Sequence, residues 1–249
     1  MNLMTNLVIN VSCIISSLCY SILRIEPYTT CPYECIYCYG RWYRPSGLLE
    51  PQPQYELVSL FKKVARKLGK VRVSTIPFRL STLIEPLQPV EERYKLSLKI
   101  MKTRLKNKIP LILSTKSMLF TKDEWFRLLV DLSSKNLVLL QVTLVTLDKK
   151  LQNILEPRAP SIEDRIEAID KVAKEGVPVV IRYQPIIPEL VEYEAKDVFK
   201  LVKSLQVKHV ILEFLRCTRD ELDFYANLAL VKEVYNELWE SYSLERKET

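Results

Sequence analysis

Three cysteines, Cys31, Cys35 and Cys38, lie close together in the sequence. Thiolates with this spacing on one short loop can converge on a compact iron–sulfur cluster, whereas a structural zinc site needs a fourth ligand that this neighbourhood lacks. In a 4Fe-4S cluster held by three cysteines, one iron keeps an open position, which suits the binding of a cofactor or substrate. Zinc with a distant fourth cysteine, a disulfide pair and buried thiols without a metal remain as alternatives.

The composition excludes several other chemistries. The chain has 249 residues and only 4 glycines, so neither the G-x-G-x-x-G fingerprint nor the Walker A loop can be written anywhere in it. The single histidine, His209, excludes multi-histidine metal sites, and a Ser-His-Asp triad would have to be built on that residue. We interpret His209 as structural. The lack of both glycine motifs excludes classical dinucleotide-binding and P-loop enzymes.

Apolar runs alternate with amphipathic stretches along the chain, which predicts an α/β fold with a parallel sheet. Strands are predicted at Tyr20–Glu26, Phe78–Ile84, Ile109–Ser114, Leu137–Leu144, Val177–Tyr183 and His209–Phe214. Helices are predicted near residues 54–68, 90–106, 122–133, 162–175, 194–204 and 219–240. Six units indicate a partial (β/α)6 TIM barrel, whose functional residues should follow the carboxyl ends of the strands.

Capping boxes mark the starts of three of these helices. In a capping box, a hydroxyl side chain and an acid three residues later satisfy the exposed N–H groups of the first turn. The three pairs are Thr121 with Glu124, Ser161 with Asp164, and Thr218 with Glu221.

The charge balance is basic, with 37 Lys and Arg against 30 Asp and Glu, a net charge of +7. The densest basic runs, Lys62–Arg72 and Lys99–Lys108, alternate with apolar residues at helical spacing. We interpret them as solvated helix faces, with a nucleic-acid surface as the alternative.

The N-terminal apolar stretch Leu7–Tyr20 is shorter than the roughly 20 residues that span a bilayer and contains Asn10. We therefore expect no membrane span and no membrane partner. Cysteine spacing typical of metal binding favours a cytoplasmic location. We expect residues 1–20 to be an N-terminal extension or an upstream mis-assigned start, and residues 21–249 to be the core domain with a C-terminal helix.

Four further segments accompany the cysteine loop Cys31–Tyr39 in a fixed order. They are Ile84–Glu91, Thr115–Ser117, Glu156–Ser161 and Pro185–Pro188. Together these segments resemble the radical S-adenosylmethionine (radical SAM) superfamily and, within it, the spore photoproduct lyase-like branch. The resemblance runs from about residue 21 to residue 215.

The resemblance implies a mechanism and two cofactors, a 4Fe-4S cluster and S-adenosyl-L-methionine (SAM). In the superfamily the open iron binds the methionyl group of SAM, and one electron from the cluster cleaves the sulfonium. The resulting 5′-deoxyadenosyl radical abstracts hydrogen from a substrate. An external electron donor such as ferredoxin or flavodoxin is implied as a partner.

The resemblance also implies roles for individual residues. The three cysteines of the loop would be the cluster ligands. Tyr37 would lie near the adenine of SAM, and Glu85 would accept hydrogen bonds from its ammonium group. Lys116 and Thr143 would bind its carboxylate. Glu85 stands where the branch usually has Asp, so the carboxylate is kept on a longer side chain.

One departure bears on the reaction. Spore photoproduct lyase carries a hydrogen-donating cysteine where this chain has Thr82, whose O–H bond is too strong for that role. Cys217 and Tyr183 are alternative donors, Cys13 and Cys19 are interpreted as buried or incidental thiols, and no catalytic residue is identified.

The substrate stays unknown, with a nucleic acid as one candidate. DNA lesion repair is an alternative function. A non-catalytic, metal-bearing module that binds nucleic acid is another.

Overall fold

The computed structural model describes residues 23–40, 50–70, 77–188 and 190–215. Its centre is one parallel sheet of six strands, in which each strand lies beside the one that precedes it in the chain. The strands are β1 (Leu23–Ile25), β2 (Phe78–Leu80), β3 (Leu111–Thr115), β4 (Val138–Thr143), β5 (Val179–Ile186) and β6 (His209–Phe214). A sequential order without reversal is the order of a TIM-type barrel, because right-handed crossovers then place every helix on the same side of the sheet.

Helices connect the strands. They are α1 (Tyr55–Leu68), α2 (Glu91–Tyr94), α3 (Leu96–Asn107), α4 (Asp123–Ser134), α5 (Lys149–Leu155), α6 (Ile162–Lys174) and α7 (Ala195–Ser204). In these described ranges, no helix combines the length and the apolar character that crossing a bilayer requires.

The predicted strands are confirmed in number and position, and β6 has the predicted bounds. One predicted helix, over residues 90–106, is instead two helices, because Lys95 between α2 and α3 adopts a left-handed conformation with φ 52°. The short helix α5 was not predicted. Residues 1–20 and the predicted helix over residues 219–240 lie outside the described part of the chain.

The predicted caps have different outcomes. Ser161 caps α6, because its hydroxyl accepts a hydrogen bond from the Asp164 N–H at 3.1 Å. The Thr121 cap is wrong: α4 begins after Lys122, and the Thr121 hydroxyl instead donates to the Met118 carbonyl at 2.9 Å. A competing local turn therefore takes the hydroxyl that the capping box needs. The pair Thr218 and Glu221 lies outside the described residues.

The two faces of the sheet differ in chemistry. Residues in register on the helix-covered face are apolar and buried: Ile25, Leu80, Leu113, Leu140 and Val179. The opposite face carries a row of polar side chains at alternate positions: Arg24, Arg79, Ser114, Gln141, Thr143 and Arg182. Because successive side chains of a strand point to opposite faces, this polar row lines the inner side of the partial barrel.

Candidate functional site

The three cysteines lie on the loop that follows β1, at the carboxyl end of the sheet. Cys35 is buried, while Cys31 and Cys38 are half-buried, and none of the three forms a disulfide bond. The loop is compact, since the Cys38 N–H donates to the Cys35 carbonyl at 3.1 Å. The three predicted ligands therefore lie on one short loop at the predicted edge of the sheet, and Cys35 and Cys38 flank a single turn of it.

The protonation of these thiols depends on burial. Burial raises the pKa of Cys31 to about 12. It also raises the pKa of Cys35 to about 12, although the nearby Lys116 ammonium acts in the opposite direction. Iron binds thiolates, so metal binding at this loop must release protons.

Within the described ranges, no three His, Cys, Asp or Glu side chains are grouped so as to hold one metal ion. In a 4Fe-4S cluster each cysteine binds a different iron, so the ligands of such a cluster surround a group larger than a single ion. Three cysteines on one short loop, none of them in a disulfide bond, are the donor set that such a cluster uses. The loop therefore fits the cluster in the chemistry of its ligands.

The cysteine loop is held against the segment that follows α5. The Ile36 N–H donates to the Leu155 carbonyl at 2.9 Å, and the buried Tyr37 hydroxyl donates to the Glu156 carboxylate. At the surface, Arg158 Nη1 lies 3.1 Å from Glu34 Oε1. Contacts on both sides of Cys35 thus fix the loop to one segment.

Glu156 lies at the centre of a buried polar group. Its carboxylate also accepts from Arg165 Nη2, and both side chains are fully buried. Arg165 donates further hydrogen bonds to the Pro160 carbonyl and, at 2.9 Å, to the Thr143 carbonyl. Arg165 therefore joins the end of β4 to the segment that holds the cysteine loop.

Lys116 follows β3 and points toward the same group. Its Nζ lies 3.9 Å from Glu156 Oε1 and 5.6 Å from the centre of the Tyr37 ring. Burial acts to lower the pKa of Lys116, but the neighbouring Cys35 and Glu156 side chains raise it, and the net direction is upward. The ammonium is thus charged and lies beside the cysteine loop, and its contact with the SAM carboxylate stays a prediction.

Glu85 connects two of the loops at the carboxyl end of the sheet. Its buried carboxylate accepts from Thr115 Oγ1 at 2.5 Å, the Lys116 N–H at 2.8 Å and the Leu87 N–H at 3.0 Å. Burial raises the pKa of Glu85, and these hydrogen bonds oppose that effect. Its predicted contact with the SAM ammonium stays a prediction, and a carboxylate has acceptor capacity beyond these three bonds.

Thr143 is the last residue of β4 and lies on the polar inner face, in register with Arg182. It therefore lies at the edge of the sheet where Lys116 follows β3. Its predicted hydrogen bond to the SAM carboxylate stays a prediction.

Thr82, at the position of the donor cysteine of spore photoproduct lyase, and Tyr183, an alternative donor, both lie in the described part of the chain. The Thr82 N–H donates to Glu26 Oε1 at 2.9 Å, and the Thr82 carbonyl accepts from the Tyr39 hydroxyl at 2.7 Å. Tyr183 is fully buried, and its hydroxyl donates to the Val191 carbonyl, which is a structural contact. Cys13, Cys19 and Cys217 lie outside the described residues.

Sequence reasoning missed Glu156 and Arg165 as site residues. Glu156 belongs to a segment that carried the family resemblance, so a signal for it existed. The sequence gives no such signal for Arg165, because a cation in an amphipathic helix normally lies on the solvated face.

The sequence matches the radical SAM superfamily over residues 25–202, and the chain belongs to this superfamily. Protein ORF301 of Acidianus two-tailed virus is 29% identical over 82% of this chain, which spans 63% of the viral protein. Protein MJ0683 of Methanocaldococcus jannaschii is 28% identical over 68% of this chain, which spans 62% of that protein. The radical SAM Nalpha-GlyT isomerase of Pseudomonas phage M6 is 24% identical over 79% of this chain and 40% of the isomerase. The chain therefore spans less than two thirds of these relatives.

Solved structures share the fold. Spore photoproduct lyase complexed with dinucleoside spore photoproduct aligns with 86% of this chain and 63% of its own, with a TM-score of 0.65 and 15% identity. SuiB of Streptococcus suis bound to S-adenosylmethionine aligns with 89% of this chain and 47% of its own, with a TM-score of 0.58 and 16% identity. The α/β architecture predicted from the sequence is confirmed by these comparisons and by the six-stranded parallel sheet.

Proposed function

We propose that this protein is a radical SAM enzyme in which Cys31, Cys35 and Cys38 hold a 4Fe-4S cluster. The observation that carries the proposal is the placement of three cysteines, none of them in a disulfide bond, on one short loop after the carboxyl end of β1, in a chain of this superfamily. When bound, the cluster supplies the electron that cleaves SAM reductively, and the 5′-deoxyadenosyl radical so released abstracts hydrogen from a substrate.

Four side chains are proposed to hold SAM. Lys116 and Thr143 would bind its carboxylate from the ends of β3 and β4, and a contact to a charged group is roughly twice as strong as a neutral one. Glu85 would accept from its ammonium group while keeping the loops after β2 and β3 together. Tyr37, a buried residue of the cysteine loop, would lie near the adenine.

Glu156 and Arg165 are proposed as positioning residues. The Glu156 carboxylate binds the Tyr37 hydroxyl and lies beside the Lys116 ammonium, so it sets the positions of both side chains. Arg165 donates to the Glu156 carboxylate and connects it to the end of β4. A fixed arrangement of this kind keeps the SAM contacts in place between turnovers.

Proteins with this fold bind different substrates: one structure of spore photoproduct lyase holds a dinucleoside spore photoproduct, and one of SuiB holds the precursor peptide SuiA. We propose a component of a nucleic acid as the substrate, an iron–sulfur or flavin protein as electron donor, and a cytoplasmic location.

Anaerobic reconstitution with iron and sulfide tests this proposal. We expect the wild-type chain to acquire the broad visible absorbance of an iron–sulfur cluster, and the triple variant C31A/C35A/C38A to remain colourless. A matched control, C13A/C19A/C217A, removes the same number of thiols from elsewhere in the chain and should keep the absorbance. Equal iron and sulfide content in all three proteins would rule out the proposed ligands.

A further inference from the structure

The positive charge of the chain is concentrated in one segment. Residues 93–122 contain nine Lys and Arg and no Asp or Glu, whereas the rest of the chain has 28 basic and 30 acidic residues. The segment therefore carries more positive charge than the whole protein. It includes α3 and β3, so the excess charge belongs to one structural unit next to the proposed site.

Three of these nine cations lie along one side of α3, and a fourth, Lys95, directly precedes the helix. Lys95, Lys99, Lys102 and Lys106 recur every three or four residues, which places them along one face of the helix. Lys95 and Lys102 share an ion pair with Glu124. The exposed cations Arg93, Lys99 and Lys106 form no ion pair with an acidic residue in the described part of the chain.

Two tyrosines lie among these cations. The side chain of Tyr55 is 52% exposed, and its ring meets that of Tyr94 edge to face, with the ring centres 6.3 Å apart. Lys99 Nζ lies 5.9 Å from the centre of the Tyr55 ring, and the Arg93 guanidinium lies 5.2 Å from the centre of the Tyr94 ring. We call Tyr55, Tyr94 and the cations Arg93, Lys95, Lys99, Lys102 and Lys106 the basic surface.

One end of the basic surface adjoins the carboxyl end of β1. Gln54, which precedes Tyr55, donates from Nε2 to the Glu26 carbonyl at 2.8 Å and to the Tyr28 carbonyl at 3.2 Å. The Tyr28 hydroxyl donates to Glu91, the first residue of α2. These contacts place the start of α1 and of α2 beside the edge of the sheet that carries the cysteine loop.

We infer that the basic surface binds a single-stranded nucleic acid. Phosphates would contact the cations, and an unpaired base would stack on the exposed Tyr55 ring, which is how proteins bind single strands without reading sequence. Alternating cations and one open aromatic face match a chain that alternates phosphates and bases. The inference rests on the proposed function in one respect: the bound strand would present a nucleotide to the proposed SAM site.

Oligonucleotide binding to the reconstituted protein tests whether the cations of the basic surface contact phosphates. The variant R93Q/K99Q/K106Q removes three cations without breaking an ion pair with an acidic residue. We expect at least tenfold weaker binding of single-stranded DNA or RNA, and a slope of affinity against salt that is smaller by about 2, because each lost phosphate contact contributes about 0.7. The control K196Q/K200Q/K203Q removes three exposed cations from α7 and should bind like wild type.

The variant Y55A tests whether a base stacks on the Tyr55 ring. Y55A should weaken single-strand binding about 5-fold or more, the lower end of what one base–aromatic stack contributes. Its control, Y193A, removes a tyrosine that is 73% exposed elsewhere and should have no effect. Equal loss in both variants, or duplex binding as tight as single-strand binding, would overturn the stacking assignment.

Two further results would contradict the inference. Wild-type affinity and salt slope in R93Q/K99Q/K106Q would show that the basic surface is not the binding surface. Polyglutamate that competes as well as an oligonucleotide would show that the surface selects only negative charge. SAM cleavage measured without oligonucleotide should be unchanged in every variant, so failure of the binding inference is distinguishable from failure of the proposed function.

Discussion

Glu156 offers the sharpest test of how the cysteine loop is held. In the variant Glu156→Ala, the Tyr37 hydroxyl and the Arg165 guanidinium lose their shared acceptor, and Arg165 becomes a fully buried charge without its carboxylate partner. Removing one partner of a buried ion pair destabilises proteins by about 3–5 kcal/mol. Glu156→Gln keeps an acceptor oxygen and removes only the charge, so a smaller loss of about 1–3 kcal/mol is expected.

Urea unfolding under anaerobic conditions measures these losses. With a slope of about 3 kcal/mol per molar urea, the alanine variant should unfold at a midpoint lower by about 1 to 1.7 M. Glu163→Ala is the control, because Glu163 is exposed and its Oε1 lies 3.5 Å from Lys149 Nζ, a surface pair of little consequence. We also expect the Glu156→Ala variant to retain less iron after gel filtration.

The reasoning fails if Glu156→Ala unfolds at the wild-type midpoint. It also fails if the alanine variant loses stability but retains iron and cleaves SAM as wild type does. The first result would mean that the buried group contributes nothing to the fold, and the second that it does not position the loop.

Three other predictions follow from the same contacts. Lys116→Met should weaken SAM binding to the reconstituted protein by about 10- to 150-fold, the range for one lost charged hydrogen bond of about 1.5–3 kcal/mol; unchanged affinity in equilibrium titration would contradict its role. Ser161→Ala should lower the free energy of unfolding by about 1 kcal/mol through loss of the α6 cap, whereas Thr121→Ala, which caps no helix, should lose less; equal losses would be inconsistent with the observed caps. Burial raises the pKa of Glu26 above its usual 4.5, so its charging costs the native state stability as pH rises through the interval between 4.5 and the raised value. The urea midpoint of Glu26→Gln should therefore rise relative to the wild-type midpoint as pH increases across this interval. A difference between the two midpoints that does not change with pH would contradict the burial argument.

Much of the fold was predictable because its signals are local. The strand His209–Phe214 is a short run with a clear polar boundary, and the Ser161 hydroxyl caps α6 through the Asp164 N–H only three residues away. The errors arose where a neighbouring interaction decides the backbone. At Lys95 a left-handed residue breaks the helix, and the 3-10 turn at Met118 takes the Thr121 hydroxyl.

The candidate site was predictable where residue type and sequence spacing alone indicate a chemical role. Residue type and separation mark the three cysteines as candidate ligands, and Lys116 is a candidate because it lies just after a strand. Arg165 could not be found in this way, because its burial depends on three acceptors, the Glu156, Pro160 and Thr143 oxygens, that are brought together only by the fold.

Reductive cleavage of SAM is the measurement that tests the central claim most directly. The reconstituted protein is reduced with dithionite under anaerobic conditions, incubated with SAM and assayed for 5′-deoxyadenosine by mass spectrometry. We predict that the wild-type protein forms 5′-deoxyadenosine and that Cys35→Ala, prepared in the same way, forms none. Formation of 5′-deoxyadenosine at the wild-type rate by Cys35→Ala, or no formation by a wild-type protein that carries its full iron content, would contradict the account.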